Sequence, residues 1–248
     1  MDNQKKNIRK ESLSDKRDRE LNSIVSELTI EESAKVDIAI STRVDYLMSN
    51  MKIPKYWIDK RFSQLEGDAP YLETVKKIME WDFKNPVSVC LLSNINGIGK
   101  THIATCLLRK YLYQFVKSNP DYTGELQNYF VKESDLYYEI LESYRDKSPR
   151  SEREIINHYC NLSFMVIDDM FSNRENEFAY RTMLSIIDTR IDYKRLPTVI
   201  TSNLYLENIK ESRIKSRLQG ELCIAFRNVK KDFRTPKKQT NGANTNSI

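Results

Sequence analysis

The residues best suited to chemistry lie together at positions 93–102, Ser-Asn-Ile-Asn-Gly-Ile-Gly-Lys-Thr-His. An apolar run precedes them at 87–92, and a run with helical spacing follows at 103–116. A glycine-bearing turn between a strand and a helix points backbone N–H groups at an anion, and the helix dipole adds to the attraction. Lys100 would contact the β- and γ-phosphates of a nucleotide, while the Thr101 hydroxyl would bind Mg²⁺. The stretch therefore predicts a loop that binds a nucleotide with Mg²⁺.

One position of this loop departs from the usual pattern, in which a glycine stands six residues before the lysine. That position is Asn94. Asparagine tolerates a positive φ better than other residues with side chains, so the turn is still expected to form. An ordinary strand-to-helix turn with an incidental lysine is the alternative, which the flanking strand and helix disfavour. The predicted nucleotide contacts are Asn94, Ile95, Asn96, Gly97, Ile98, Gly99, Lys100, Thr101 and His102.

Two carboxylates form the second candidate group, at the end of the apolar run 162–167. Ligands of open α/β sheets lie beyond the carboxyl ends of the strands, so Asp168 is expected beside the phosphate loop. There it would hold Mg²⁺ directly or through water. Asp169 would orient and activate an attacking water. A solvated acidic pair at a strand end is the alternative, and the phosphate loop upstream makes it the less favoured one.

Three more polar residues extend this set. Asn203 ends the apolar run 196–203 and would hydrogen-bond the γ-phosphate or the attacking water, although a turn-forming role is the simpler alternative. Arg213 and Arg217 lie four residues apart on a predicted helix, 211–218, and therefore share one face. They form either a solvated basic face or a group that stabilises transition-state charge in a neighbouring subunit.

Alternating strands and helices position these residues. Buried-type runs alternate with segments of helical spacing, which predicts an α/β fold with a parallel sheet flanked by helices. The predicted strands are 87–92, 127–131, 162–169, 196–203 and 222–226. The predicted helices are 71–83, 103–116, 133–144, 151–160, 178–193 and 211–218.

The chain before residue 53 differs from the rest. Residues 1–20 carry mixed charge, whereas 21–28 and 36–51 show helical apolar spacing. Two short amphipathic helices must pack either on the main domain and each other, or on a partner protein. We therefore expect a helical N-terminal region at 1–52, a nucleotide-binding domain at 53–234 and a disordered tail at 235–248.

Composition excludes several classes of protein. The 248 residues are 40% hydrophobic and 30% charged, with no apolar segment long enough to cross a membrane and no apolar leader. A cytoplasmic protein without membrane contact is expected. The four cysteines show no C-x-x-C spacing, so free thiols are expected rather than a zinc site. The net charge of +5 resides wholly in the segment from Arg227 onward, which suits either a nucleic-acid partner or a solubilising tail.

Together these motifs resemble the helicase-loader branch of the AAA+ ATPases, the DnaC/DnaI-like proteins of the IstB-like ATP-binding family, which include phage- and mobile-element-encoded members. The resemblance spans roughly residues 53–234. It is carried by a linker at 53–56 and 61–62, the Walker A ending at 99–104, Walker B at 166–169, sensor 1 at 201–204, an arginine-finger helix at 213–218 and a closing motif at 232–234.

The resemblance implies a P-loop NTPase (AAA+) domain that follows a small helical region. It implies binding of ATP and Mg²⁺, hydrolysis of ATP to ADP and phosphate, and self-assembly into a nucleotide-dependent oligomer. It further implies delivery of a hexameric replicative DNA helicase, gripped by the N-terminal region, to single-stranded DNA during replication initiation. The positions that match the family's DNA contacts are Tyr144, Asn176 and Phe178.

The chain departs from this family in three ways besides Asn94. Asp169 stands where most AAA+ enzymes carry glutamate, and the shorter carboxylate would slow hydrolysis. The N-terminal region lacks the cysteine cluster of zinc-bearing loaders. A second sensor arginine is missing unless Arg227 or Arg234 serves. Three alternatives stay open: an IstB-like transposition helper that acts with a transposase on duplex DNA, a P-loop small-molecule kinase with Arg213 and Arg217 as lid residues, and a binding module without hydrolysis.

Overall fold

Parallel strands form the centre of the computed structural model, which describes residues 32–122, 126–145, 148–171 and 177–227. Within these ranges the strands are β1 (Ser88–Leu92), β2 (Phe130–Lys132), β3 (Met165–Met170), β4 (Thr198–Ser202) and β5 (Leu222–Ala225). They form one sheet in the order β2-β3-β4-β1-β5, and every neighbouring pair is parallel. The predicted parallel α/β sheet is confirmed.

The three central strands are buried on both faces. Every residue of β1 and β4 is buried, and in β3 only Asp169 is partly exposed. Parallel strands covered by helices are near-continuous apolar runs, and this is why the sequence predicts them readily. In the register, Leu92 lies beside Ser202 and Lys132 beside Asp168. The carboxyl ends of β1 to β4 therefore meet at one edge of the sheet.

Helices cover the sheet. Those described are α1 (32–49), α2 (Lys55–Ile58), α3 (Ala69–Met79), α4 (Lys100–Ser118), α5 (Glu133–Ser143), α6 (Glu152–Asn161), α7 (Glu177–Ile187) and α8 (Ser212–Gln219). Shorter turns of 3-10 helix occupy Phe62–Gln64 and Leu206–Asn208, and a π-helix occupies Asp188–Tyr193.

Three predicted helix ends need correction. The helix after the loop begins at Lys100 rather than residue 103, because its first turn follows directly from the left-handed Gly99. The helix predicted over 71–83 ends at Met79, and Phe83 has a left-handed φ of 67° that no helix interior accepts. The helix predicted over 178–193 is α-helical only to Ile187 and then widens into the π-helix.

The C-terminal half of α1 belongs to the same core as the sheet. Ile40, Val44 and Met48 are buried at a spacing of four residues, and Asp45 forms an ion pair with Arg109. The first half of α1 projects apolar side chains from the surface: Val36, next on the buried stripe, is 56% exposed.

Some predicted segments lie outside the described residues. These are the helix at 21–28, most of the basic segment from Arg227, and the tail at 235–248. Among the residues that the structure does describe, no helix combines the length and the apolar character needed to span a membrane.

Candidate nucleotide-binding site

Glycines set the shape of the loop between β1 and α4. Gly97 and Gly99 have φ of 76° and 93°, in the left-handed region that favours glycine. The expected turn forms, but Asn94 does not have a positive φ, so the turn does not depend on the backbone tolerance of asparagine. Its side chain has another use, because Asn94 Oδ1 accepts a hydrogen bond of 2.9 Å from the Tyr205 hydroxyl. The first position of the loop is therefore tied to the segment that follows β4.

Gly99 is also required by close packing beneath the loop. A Cβ atom at this position would lie 3.0 Å from the Tyr71 hydroxyl oxygen and 3.2 Å from Leu65 Cδ2. The same hydroxyl donates a 2.9 Å hydrogen bond to the Ile98 carbonyl. Asp68 caps the helix that carries Tyr71, because its side chain accepts from the Tyr71 amide. Helix α3 thus supports the loop from below.

Lys100 lies inside the loop with its ammonium against backbone oxygens. Its Nζ donates to the carbonyls of Ser93 and Ile95, each at 3.1 Å. The Ser93 hydroxyl donates to the Phe226 carbonyl at 2.8 Å and accepts from the Ile95 amide at 3.1 Å. The charge is therefore held within the cradle of N–H groups that would surround a phosphate.

Thr101 and Asp168 are in direct contact. The Thr101 hydroxyl donates to Asp168 Oδ1 at 2.9 Å, and the Thr201 hydroxyl donates to the same oxygen at 2.7 Å. Burial raises the pKa of the Asp168 carboxyl, while the two hydroxyl hydrogen bonds oppose that rise. A hydroxyl and a buried carboxylate that meet beside a phosphate loop are the oxygen donors that Mg²⁺ prefers, so the residues present fit this ion.

Asp169 and Asn203 also meet, at an irregularity in the sheet. The β3–β4 register shifts between Ile167 and Met170, and Asp169 has a left-handed φ of 58°. Its amide donates to Thr201 Oγ1 at 2.8 Å, and its Oδ1 accepts from Asn203 Nδ2. Bulges commonly re-aim a side chain next to an active site. Here the second carboxylate, at the register shift, lines the cavity.

One cavity of about 540 Å³ lies between the loop, the sheet edge and the segment before α3, and residues 96–102, Asp168, Asp169 and Asn203 line it. Asn94 and Ile95 are not among its lining residues. Sequence reasoning missed much of its wall: Tyr56, Trp57, Lys60, Gln64, Leu65, Glu66, Lys132 and Thr201. The signal for Lys132 was available, because it directly follows the predicted strand 127–131, and the register places it beside Asp168. The aromatic pair before α3 carried no such signal, since nothing in its local spacing points to a loop forty residues later.

His102 lines the cavity, but its ring already contacts other residues of the protein. Its ring Nε2 lies 2.8 Å from the Arg61 carbonyl oxygen, and its ring centroid lies 6.3 Å from that of Trp57. Burial lowers the pKa of His102, which favours the neutral imidazole. The residue therefore ties the linker to helix α4.

The two predicted arginines differ in their surroundings. The Arg217 guanidinium pairs with Asp188 and lies 3.0 Å from Asp192, both on the π-helix. Arg213 is exposed, and among the described residues no carboxylate forms an ion pair with it. The described residues that line the cavity include neither arginine. Of the two, Arg213 is therefore the one presented to solvent.

The three predicted DNA contacts also differ in their surroundings. Tyr144 is 60% exposed at the end of α5, and its hydroxyl donates to Glu152. Phe178 is partly buried against the core, with its ring 6.2 Å from that of Tyr137. Asn176 lies outside the described residues.

Comparison with known proteins finds a distant similarity to a replicative helicase loader. No protein-family profile matches the chain. Over 168 residues it is 23% identical to the replicative helicase loader DnaC of Escherichia coli K12 and equally to that of Shigella flexneri. The match covers 66% of this chain, which spans about 63% of the length of these curated relatives.

Solved structures agree on the fold. A crystal structure of DnaI superposes with a TM-score of 0.50 and 17% identity, covering 71% of this chain and 95% of that one. A crystal structure of a DNA replication initiation factor also gives 0.50, with 16% identity over 68% and 49% of the two chains. The predicted AAA+ P-loop fold is confirmed, and so is the resemblance to the DnaC-like loaders, as a distant similarity.

Proposed function

We propose that this chain binds and hydrolyses ATP and, as a helicase loader, delivers a hexameric replicative DNA helicase to single-stranded DNA during replication initiation. The proposal rests on one observation above all: Thr101 meets Asp168, and Asn203 meets Asp169, beside a phosphate loop. The sequence similarity to DnaC, whose name describes a replicative helicase loader, supports the assignment of the task.

Nucleotide binding would use side chains that are already in place. Lys100, held 3.1 Å from two loop carbonyls, is positioned to exchange those contacts for β- and γ-phosphate oxygens. Thr101 and Asp168 would hold Mg²⁺, which when bound neutralises charge on the phosphates. Tyr56 and Trp57 offer aromatic faces on the other wall of the cavity. ATP fits this combination of an anion cradle, a cation site and an aromatic wall.

Hydrolysis would use the second carboxylate. Asp169 accepts a hydrogen bond from Asn203 and would accept the proton of an attacking water as the oxygen approaches the γ-phosphorus. Asn203 holds the carboxylate in position and would also report the presence of the γ-phosphate. The shorter side chain of aspartate relative to glutamate is consistent with slow turnover that times a release.

Completion of the site would require a second copy of the chain. Arg213 projects from α8 into solvent and would reach the γ-phosphate held by a neighbouring subunit. Arginine supplied in this way stabilises the charge of the phosphoryl-transfer transition state. Arg217, paired with Asp188 and Asp192, would keep α8 in position for Arg213.

Helicase docking would involve α1 and the residues before it, within the region 1–52. The buried stripe of Ile40, Val44 and Met48 continues to Val36, which is 56% exposed. An apolar stripe that continues past the edge of its own domain suits a helical partner. The domain at 53–234 would then supply the nucleotide-dependent switch.

The test is co-purification of the full-length chain with a replicative helicase in the presence of ATP. Capture by the wild type and by Leu72→Lys, a control at another exposed apolar position, together with loss in Val36→Lys, would support the proposal. Failure of the wild type to capture the helicase would contradict it. Binding of duplex DNA and a transposase instead would favour the transposition-helper alternative.

A further inference from the structure

Two cysteines that are far apart in the sequence lie side by side in the sheet. Cys90 on β1 and Cys223 on β5 are register partners on adjacent parallel strands. Register partners project to the same face of a sheet. All four cysteines carry free thiols in the structure, and this pair lies outside the cavity of the nucleotide site.

The separation of the two residues suits a covalent bond. Neighbouring strands lie about 4.8 Å apart, within the range of about 4.4–6.8 Å that disulfides span between Cα atoms. Each thiol shifts the pKa of the other, as expected for two sulfur atoms that lie close together. Cys223 Sγ also donates to the Leu218 carbonyl at 3.0 Å, which holds the sulfur beside its partner. Bond formation therefore needs little movement of the backbone.

The two thiols differ in accessibility and acidity. Cys90 is fully buried, whereas Cys223 is partly exposed on the edge strand. The neighbouring Cys90 thiol lowers the pKa of the Cys223 thiol, against the opposing effects of burial and of Glu221. The same pairing and burial raise the pKa of the Cys90 thiol. Reactivity follows thiolate character and access, so Cys223 is the thiol that reacts first.

The remaining cysteines provide an internal contrast. Burial raises the pKa of the Cys106 thiol to about 12 and also raises that of the Cys160 thiol. Both are buried on helices rather than on facing strands. Neither has a combination of access, low pKa and neighbouring thiol within the described residues.

We propose that Cys90 and Cys223 form a redox-active pair that a peroxide converts into an intramolecular disulfide. The Cys223 thiolate attacks one peroxide oxygen, the O–O bond breaks, and one water leaves with a proton, so that sulfur is oxidised to a sulfenic acid. The Cys90 sulfur then attacks Cys223 sulfur. The S–S bond forms, the S–O bond breaks, and the leaving hydroxide takes the Cys90 proton as a second water.

The disulfide would fix an element that borders the proposed ATPase site. The residue after β5, Phe226, donates its amide to the Leu92 carbonyl at 2.8 Å and accepts from the Ser93 hydroxyl at the start of the phosphate loop. Helix α8, with Arg213, leads directly into β5. A bond between β5 and β1 therefore restrains the arginine-bearing helix relative to the loop. The bond itself does not depend on the proposed function.

The test treats reduced full-length protein with hydrogen peroxide and maps disulfides by mass spectrometry without reduction. The expected result is a Cys90–Cys223 cross-linked peptide, a fall in free thiols from four to two per chain, and reversal by dithiothreitol. Amide hydrogen exchange across residues 212–226 is expected to slow in the oxidised form. Unchanged exchange in the cross-linked protein would overturn the proposed restraint on α8.

Single variants establish the order of events. In Cys90→Ala, Cys223 should accumulate as a sulfenic acid that dimedone labels, whereas in Cys223→Ala the buried Cys90 should stay unlabelled. The double variant Cys106→Ala/Cys160→Ala should form the cross-link as the wild type does. Absence of the cross-link from peroxide-treated wild type, which needs no variant to fold, would overturn the proposal. So would appearance of cross-links between separate chains alone.

Discussion

The proposed functional residues at the carboxyl edge of the sheet already contact one another within one chain, whereas those on the outer helices do not. At the edge, Thr101, Asp168, Asp169 and Asn203 are already joined by hydrogen bonds. On the outer helices, the groups with proposed roles are presented to solvent, as Val36 on α1 and Tyr144 on α5 are. Under the proposed function, the residues for nucleotide binding therefore meet within a single chain, whereas catalysis in trans, DNA contact and docking would need further molecules.

Substitution of the two arginines of α8 is expected to give the largest effect and so tests this comparison most strongly. Arg213→Ala should lower kcat for ATP hydrolysis in an oligomer by about 10³-fold, because an arginine supplied in trans carries an effect of that order. Affinity for ATP in the single chain should stay unchanged. The measurement is steady-state hydrolysis over a range of protein concentrations.

Lys210→Ala, a neighbouring exposed lysine, is the matched control and should retain full activity. Arg217→Ala should lower thermal stability instead, since it leaves Asp188 and Asp192 without their cation. If Arg217→Ala removed hydrolysis while Arg213→Ala did not, the assignment of the trans arginine would be reversed.

Tyr144 provides a test of the proposed contact between the outer surface and DNA. Tyr144→Ala should weaken single-stranded DNA binding by about 10-fold, since base stacking on an aromatic ring contributes about 1–3 kcal/mol. Fluorescence anisotropy with a labelled oligonucleotide measures the change. Tyr193→Ala serves as control because Tyr193 is even more exposed, at 82%. Equal losses in both variants would argue for general surface effects.

Substitution of Asp168 tests whether a buried carboxylate at the carboxyl edge of the sheet lowers the stability of the fold while it serves the proposed function. Burial raises the pKa of this carboxyl above its unfolded value, so the stability that it contributes is complete below the unfolded pKa and is lost as pH rises through the folded pKa. At neutral pH Asp168→Asn should therefore raise the Tm by a few degrees, about 1 kcal/mol, and abolish Mg²⁺-dependent hydrolysis.

Differential scanning calorimetry and ATPase assays of the same samples measure both effects. Asp59→Asn, an exposed aspartate, should change neither. A lower Tm in Asp168→Asn would show that the hydrogen bonds from Thr101 and Thr201 outweigh the cost of burying the charge.

The smallest expected effect concerns His102. Burial lowers its pKa in the folded state, so the unfolded chain binds more protons at mildly acidic pH. The stability linked to His102 is complete above the unfolded pKa of about 6.5 and is lost as pH falls below it. Urea unfolding at pH 7.5 and 5.5 should show a smaller loss in His102→Gln than in the wild type. Equal losses would exclude His102 as a source of acid sensitivity.

The residues at the carboxyl edge of the sheet could be predicted from local patterns in the sequence. The apolar runs of β1, β3 and β4, the glycines of the loop and the polar residues at the strand ends lie in short contiguous stretches. Their physical rules act over a few residues, and the alignment of parallel strands then brings the stretches together. Thus the meeting of Asp169 with Asn203 follows from the sequence once the sheet is assumed.

The remaining features depend on contacts between distant segments. Tyr71 beneath Gly99 and Tyr205 on Asn94 join residues that no local period relates. The same holds for Arg217 with Asp188, which changes the interpretation of α8. Strand order is the deciding fact for Cys90 and Cys223, because only a sheet that places β5 beside β1 makes them neighbours.

The most direct test of the central claim is calorimetric titration of the single chain with ATP, with and without Mg²⁺. We predict binding that Mg²⁺ strengthens, and a loss of affinity of about 10²-fold in Lys100→Ala, as expected for removal of a preorganised phosphate contact. Lys84→Ala, at an exposed position outside the cavity, should bind as the wild type does. Binding by Lys100→Ala equal to that of the wild type, or no binding of ATP by the wild type, would contradict the account.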